Sequence, residues 1–311
     1  MTTDRSEIKK TAEMAGHVGP IYDLCSGRDA NHVLTASGDK FIAEWNLEDN
    51  VASPFSVKME EAVFAIAFDE DKQRLFAGTS RGNIHIIDLV LKKEVRNLKV
   101  HSKGIFAIEL ISEQDLVVVA GGDGFLSIWE YETLELVRHI KVIDLKLRSI
   151  YVHEDRLYTC GMDGTLRSFD LPWLNELQVI DAHEGGCNVV VIHPFKPLLV
   201  SGGKDGHIRF WNLNEELKMV REIPAHNFGI YSITFNPTTN ESNSFAISAS
   251  RDKTIKVWPS STFDEPVRIE RPHLPAHTHS VNRLFWINDK EFLSAGDDRK
   301  IMRWKLDAKS N

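Results

Sequence analysis

Short apolar runs rich in β-branched residues recur along the chain, among them Leu116–Val119, Val189–Ile192 and Phe245–Ile247. Clusters of Gly, Asp, Asn or Pro bound these runs, and helical periodicity of apolar positions is absent. The pattern predicts strands joined by tight turns. Gly122-Asp123-Gly124, Met162-Asp163-Gly164 and Lys204-Asp205-Gly206 supply turn chemistry where consecutive strands must reverse.

The runs themselves repeat. Related segments close on Trp45, Trp129, Trp211, Trp258 and Trp304, and two weaker copies close on Ile87 and Phe169. These seven anchors stand 40 to 47 residues apart, which matches the period of about 40 to 45 residues for a four-stranded propeller blade. An isolated four-stranded meander cannot bury both faces, so successive units must stack, and closing the stack in a ring protects its edges. The expected fold is all-β: a seven-bladed β-propeller of four-stranded antiparallel blades, forming one domain over residues 1–311. Its repeats fall at about 16–58, 59–99, 100–140, 141–181, 182–224, 225–275 and 276–307. The seventh repeat reaches Leu306 with three strands only. Glu7–Met14, within a closing segment at 1–15, is expected to supply the fourth and tie the ring shut.

Composition narrows the class. Of 311 residues, 42% are hydrophobic and 26% charged, enough apolar material for a sizeable core. Lys and Arg total 37 against 45 Asp and Glu, and this net charge of −8 disfavours general coating of a phosphate backbone. Cys25, Cys160 and Cys187 are odd in number and irregularly spaced, which fits a reducing compartment and structural thiols. No apolar run reaches the ~18 residues of a membrane span, and Met1–Lys10 has no apolar stretch of a secretion signal. A cytoplasmic protein is expected, or a nuclear one in a eukaryote.

With these residues in place the chain resembles the WD-repeat family of β-propellers from about Ile8 to Leu306. In that family a loop His, a strand Ser or Thr, a turn Asp and a strand Trp form a hydrogen-bonded set. The resemblance assigns complete sets to His17, Thr35, Asp39 and Trp45; His183, Ser201, Asp205 and Trp211; His226, Ser248, Asp252 and Trp258; and His277, Ser294, Asp298 and Trp304. The third repeat keeps His101, Asp123 and Trp129 but has Val119 at the hydroxyl position, and the fourth keeps Thr159 and Asp163 with Lys141 and Phe169 at the other two. Met59, Ala77, Arg81 and Ile87 replace all four members in the second.

Buried polar groups cost free energy unless paired, and a chain of them satisfies one another. A Ser, a His and an Asp could suggest a hydrolase triad. Recurrence of the trio four times, beside a Trp and without a nucleophile elbow, makes it architecture instead. His273, His277 and His279 invite a metal reading, but His277 belongs to a set and Pro272 and Pro275 mark a linker. Gly121–Gly124 lacks the Lys-Ser/Thr ending of a phosphate loop. No catalytic residue, metal or cofactor is expected.

The resemblance places a common docking site at the mouth of the central channel. Apolar pairs such as Ile21 and Leu24, or Ile105 and Ile108, are spaced by three, which breaks the two-residue strand period and predicts a bulge. The bulged residue tilts toward the mouth: Tyr22, Phe64, Phe106, Arg148, Asn188, Tyr231 and Asn282. Aromatic and Arg side chains are usual interface anchors. Lys204 and Arg251, with Lys253 and Arg299 beyond them, add positive charge, so an acidic or extended peptide suits this rim. Pro237–Ser244 and Ser260–Pro275 are secondary candidates for contact loops. The expectation is a non-catalytic scaffold, monomeric on its own, binding a protein or peptide. A ligand or RNA reader using the same aromatic and basic residues is the alternative, and a propeller-hosted enzyme ranks below both.

Overall fold

The computed structural model describes residues 7–307, so the part of the closing segment at 1–6 lies outside the described residues. Blade 1 is a meander of Ile21–Ser26, His32–Ser37, Phe41–Asn46 and Val51–Lys58, each strand antiparallel to the one before. Five more blades repeat that order from inner strands Val63–Asp69, Ile105–Ile111, Leu147–His153, Cys187–Ile192 and Ile230–Phe235. The seventh begins at Val281–Trp286. Each inner strand packs against that of the next blade, and the seventh packs against the first, which closes the ring.

Blade 7 is assembled from both chain termini. Glu7–Ala15 pairs antiparallel with Lys300–Asp307, Glu7 opposite Asp307 and Ala15 opposite Lys300, with a register shift between Lys10 and Ala12. That shift does more than complete a sheet, because it turns residues an even number apart to opposite faces. Ile8 enters the core between blades 6 and 7, while Met14 enters the core between blades 7 and 1.

The core is divided among the blade interfaces. Seven buried clusters are found among the described residues, each drawn from two neighbouring blades. Inward residues of middle strands, such as Leu34, Val118 and Val200, are fully buried, and the outermost strands are largely exposed, as Lys93–Lys99 illustrates. This gradient follows from stacking wedges around an axis.

Seven equivalent turns between second and third strands each contain one residue at positive φ: Lys40, Gly82, Gly124, Gly164, Gly206, Lys253 and Arg299. At Gly124 a Cβ would come within 1.9 Å of the Ile143 carbonyl oxygen, so close approach as well as conformation requires glycine there.

The two irregular stretches are tied down. Asn236 donates from Nδ2 to the carbonyls of Asn243 and Asp289 and accepts from the Phe245 N–H, bracing 237–244. Within 260–275, Phe263 is buried against Phe210 and Trp258.

Candidate partner-binding mouth

One rim of the channel is built by a backbone hydrogen bond repeated seven times. The first residue of each second-to-third-strand turn donates its N–H to a carbonyl in the loop before an inner strand: Gly38 to Pro20, Ser80 to Ala62, Gly122 to Gly104, Met162 to Lys146, Lys204 to Gly186, Arg251 to Gly229 and Asp297 to Ser280. Turns and loops thus form a single continuous collar. Lys204 and Arg251 are exposed members of it, and Lys253 and Arg299 follow at the left-handed positions.

Just inside the collar, the register of every inner strand pair slips at one residue. Pairing jumps from Ile21 to Asp23, Val63 to Ala65, Ile105 to Ala107, Leu147 to Ser149, Cys187 to Val189, Ile230 to Ser232 and Val281 to Arg283. The skipped residues are the seven assigned to the mouth from apolar spacing.

The structure brings four of them together. Tyr22 and Phe64 meet edge to face at 5.1 Å, and Phe64 and Phe106 stack at 5.4 Å. The Arg148 guanidinium carbon lies 4.9 Å from the Phe106 ring centre, and Lys146 Nζ lies 5.2 Å from it. These rings are half-buried rather than enclosed. Arg148 makes no hydrogen bond or ion pair among the described residues, and its Nε is buried without a partner. Burial lowers its proton affinity below that of an ordinary guanidinium, with no carboxylate to compensate.

The asparagines play another part. Asn188 Nδ2 donates to the Ile230 carbonyl of the next blade at 2.9 Å, and Asn282 Nδ2 donates to the Ile21 carbonyl at 2.9 Å and to Asp297 Oδ1 at 2.8 Å. Asp23 accepts from the Ile66 N–H and Ser149 Oγ from the Val190 N–H. Inner strands have a free edge toward the channel, and these side chains satisfy it by stitching one blade to the next. Asn188 is buried and committed to that stitch, so it is not an open contact. Tyr231 stays half-buried.

Polar sets stand behind the collar. In blade 1 the Trp45 indole N–H donates to Thr35 Oγ1 at 2.9 Å, His17 Nε2 lies 2.7 Å from that hydroxyl, and His17 Nδ1 lies 2.8 Å from Asp39. Trp211, Trp258 and Trp304 donate to Ser201, Ser248 and Ser294 at 2.8, 2.9 and 2.8 Å, with His183, His226 and His277 bridging to Asp205, Asp252 and Asp298. Burial holds His101, His183 and His226 below the ordinary histidine value despite their carboxylates. For Asp205 and Asp252 burial, the largest single influence, acts the other way, yet the hydrogen bonds of His183 and Arg209, and of His226 and Thr254, together with the charge of each histidine, outweigh it and keep both carboxyls below the ordinary range.

Two positions read from the sequence need correction. Val119 does not leave blade 3 without a hydroxyl, because Ser127 supplies it: Trp129 donates to Ser127 Oγ at 2.9 Å and His101 Nε2 lies 3.2 Å away. In blade 4 the loop position belongs to Ile143 rather than Lys141. Ile143 donates its N–H to Gly124 as His183 does to Gly164, and it lies over Gly161 where His183 lies over Gly203. Lys141 instead donates to the Asp123 carbonyl at 2.7 Å. Blade 2 fills its places with Met59, Ala77 and Ile87, all within the apolar core between blades 1 and 2.

The profile of the family described as "WD domain, G-beta repeat" matches residues 8–46, 92–130, 174–212, 217–259 and 269–305, and the chain belongs to that family. The matches pass over the third strands ending near Ile87 and Phe169, the two blades that have no Trp anchor. Among curated relatives, the chain is 25% identical over 323 aligned residues to a striatin homolog of Dictyostelium discoideum, covering 96% of this chain and 35% of that protein. It is 24% identical over 273 residues to telomerase protein component 1 of Mus musculus, covering 86% and 10%. Serine-threonine kinase receptor-associated protein of Gallus gallus is 24% identical over 248 residues, covering 78% and 67%. The chain therefore spans only about a tenth to a third of the length of the first two. WD-repeat propellers of this kind are generally non-catalytic platforms for protein partners.

Proposed function

We propose that this protein is a non-catalytic scaffold that holds a protein or peptide segment at the collar side of its channel. The observation that carries the reading is the arc Tyr22–Phe64–Phe106 ending on Arg148, a guanidinium without a counter-ion. The mouth is bipartite. Blades 1 to 3 present rings, and blades 4 to 6 present Lys146, Arg148, Lys204 and Arg251, although the chain as a whole carries −8. A segment placing an acidic side chain beside an apolar one complements both halves, because the rings offer contact area at low entropic cost and Arg148 lacks an anion. Cys25, Cys160 and Cys187 are free thiols, and we place the protein in a reducing, cytoplasmic setting as a monomer.

The test is crosslinking capture from native lysate with the intact protein, a Tyr22→Ala, Tyr231→Ala variant and an Arg148→Ala variant. Loss of a protein partner with unchanged melting supports the reading, and retention of every partner by both variants rejects it. The RNA-reading alternative draws on the same residues. Single-stranded oligouridylate that bound wild type and lost affinity in these variants would favour it.

A further inference from the structure

At the end of the channel away from the collar, the last residues of the inner strands enclose a cavity of about 540 Å³. At one register around this space six blades place Cys25, Ala67, Tyr151, Val191, Thr234 and Phe285, and the third places Glu109. Its carboxyl has no hydrogen bond or ion pair among the described residues. Among the described residues the one base lining the cavity is Arg283, and it is already engaged, its Nε 2.7 Å from Asp23 Oδ1. Asp23 in turn accepts the N–H groups of Leu24 and Ile66. One negative charge is therefore left unneutralised whenever Glu109 ionises, in a wall where apolar Ala67, Val191 and Phe285 alternate with polar Ser149, Ser232 and Thr234.

A carboxylate in such surroundings is costly until a cation with hydrogen-bond donors meets it. A single carboxylate offers too few oxygen ligands for Ca²⁺ or Mg²⁺. The ammonium or guanidinium of a long side chain needs only one, and its methylenes suit the apolar members of the wall. We propose that this cavity receives a basic side chain of a partner protein, with Glu109 as its ion-pair partner and Tyr151 and Phe285 beside its stem. The proposal is independent of the mouth, which lies at the opposite end of the axis.

The groups facing Glu109 fix how binding follows pH. Asp23 and Cys25 stand on the first inner strand, Tyr151 on the fourth and Arg283 on the seventh, while the second, fifth and sixth contribute no charge to the lining. Burial pushes the Glu109 carboxyl up to about 7. Binding of a cation accordingly strengthens as pH rises through that value.

The probes are the capped pentapeptides acetyl-Gly-Gly-Arg-Gly-Gly-amide and its Lys, citrulline and norleucine counterparts, titrated while the Tyr151 and Phe285 ring resonances are followed. The Arg or Lys peptide should shift both rings saturably. The citrulline and norleucine peptides, and the Arg peptide against Glu109→Gln, should bind about tenfold more weakly or worse. Following Tyr151 and Phe285, which line this cavity and not the mouth, separates this result from failure of the mouth. Equal binding of citrulline and Arg peptides, no saturable shift with any peptide, or undiminished binding to Glu109→Gln would each overturn the proposal, as would a shift given by MgCl₂ but by no peptide.

Discussion

Ser127 sits directly opposite Val119 in blade 3, and it receives the Trp129 indole N–H at 2.9 Å. In the complete sets the hydroxyl is on the second strand, as Ser201 is opposite Arg209. Blade 3 has moved it one strand across without breaking the link from His101 to Trp129. Removing one partner of a buried hydrogen bond strands the other, at about 1–3 kcal/mol. Ser127→Ala should therefore lower stability by that amount in chemical denaturation. Val119→Ser combined with Ser127→Val returns the hydroxyl to the usual strand and should recover part of the loss.

Blade 2 should respond in the opposite sense to the same chemistry. Ala77 is fully buried, and Met59 and Ile87 stand where an imidazole and an indole would otherwise pair with a hydroxyl. Ala77→Ser places a donor among apolar groups and should destabilise by about 1–3 kcal/mol, read from the urea midpoint.

The interior groups set a pH profile. His101, His183 and His226 bind protons less readily folded than unfolded. Their contribution is complete above the ordinary histidine value of 6.5 and falls as pH drops below it. Asp205 and Asp252 add a loss in the same direction below 3.8. Glu109 runs the other way: it holds its proton more tightly when folded, so its contribution is complete below 4.5 and is lost as pH rises through about 7. With Glu109 replaced by Gln the histidines act unopposed, and melting temperature should fall on acidification from about pH 7 to about pH 5. In wild type Glu109 opposes that fall over the same window, so Glu109→Gln should steepen the acid limb and raise stability near pH 8 by up to about 3 kcal/mol.

The clasp of blade 7 carries its own expectation. Met14 is 2% exposed, in the core shared by blades 7 and 1. Met14→Ala should cost about 2–5 kcal/mol. Deleting residues 7–15 should expose the edge of Lys300–Asp307 and produce association visible in light scattering, because an unpaired strand edge templates pairing with another chain.

Much of this architecture was legible in the sequence for a physical reason. Turns needing an Asp and a left-handed residue, followed by an aromatic anchor, leave a period that survives weak copies such as the one ending on Ile87. The bulge was legible too, since a three-residue apolar step cannot fit an unbroken strand. What escaped depends on neighbours in space. Ser127 was passed over because a hydroxyl serves Trp129 equally well from the facing strand, and Ile143 because loop length between blades 3 and 4 hid the alignment that backbone hydrogen bonding reveals. The stitching role of Asn188 and Asn282 is a contact with the next blade, invisible within one repeat. Lys146 and Glu109 acquire meaning only when the ring brings them to Phe106 and to the axial cavity.

Because Glu7 lies across from Asp307 in one sheet, the position of the termini is separable from the circular plan. A short flexible tether could join those two residues, and new ends could then be cut into the turn before the outermost strand of any blade, giving rotated versions of the same wheel. Each permutant would shift the two-ended sheet to another blade while keeping every stacking interface. The order in which such variants lose strength would map how much of the ring's resilience each seam carries.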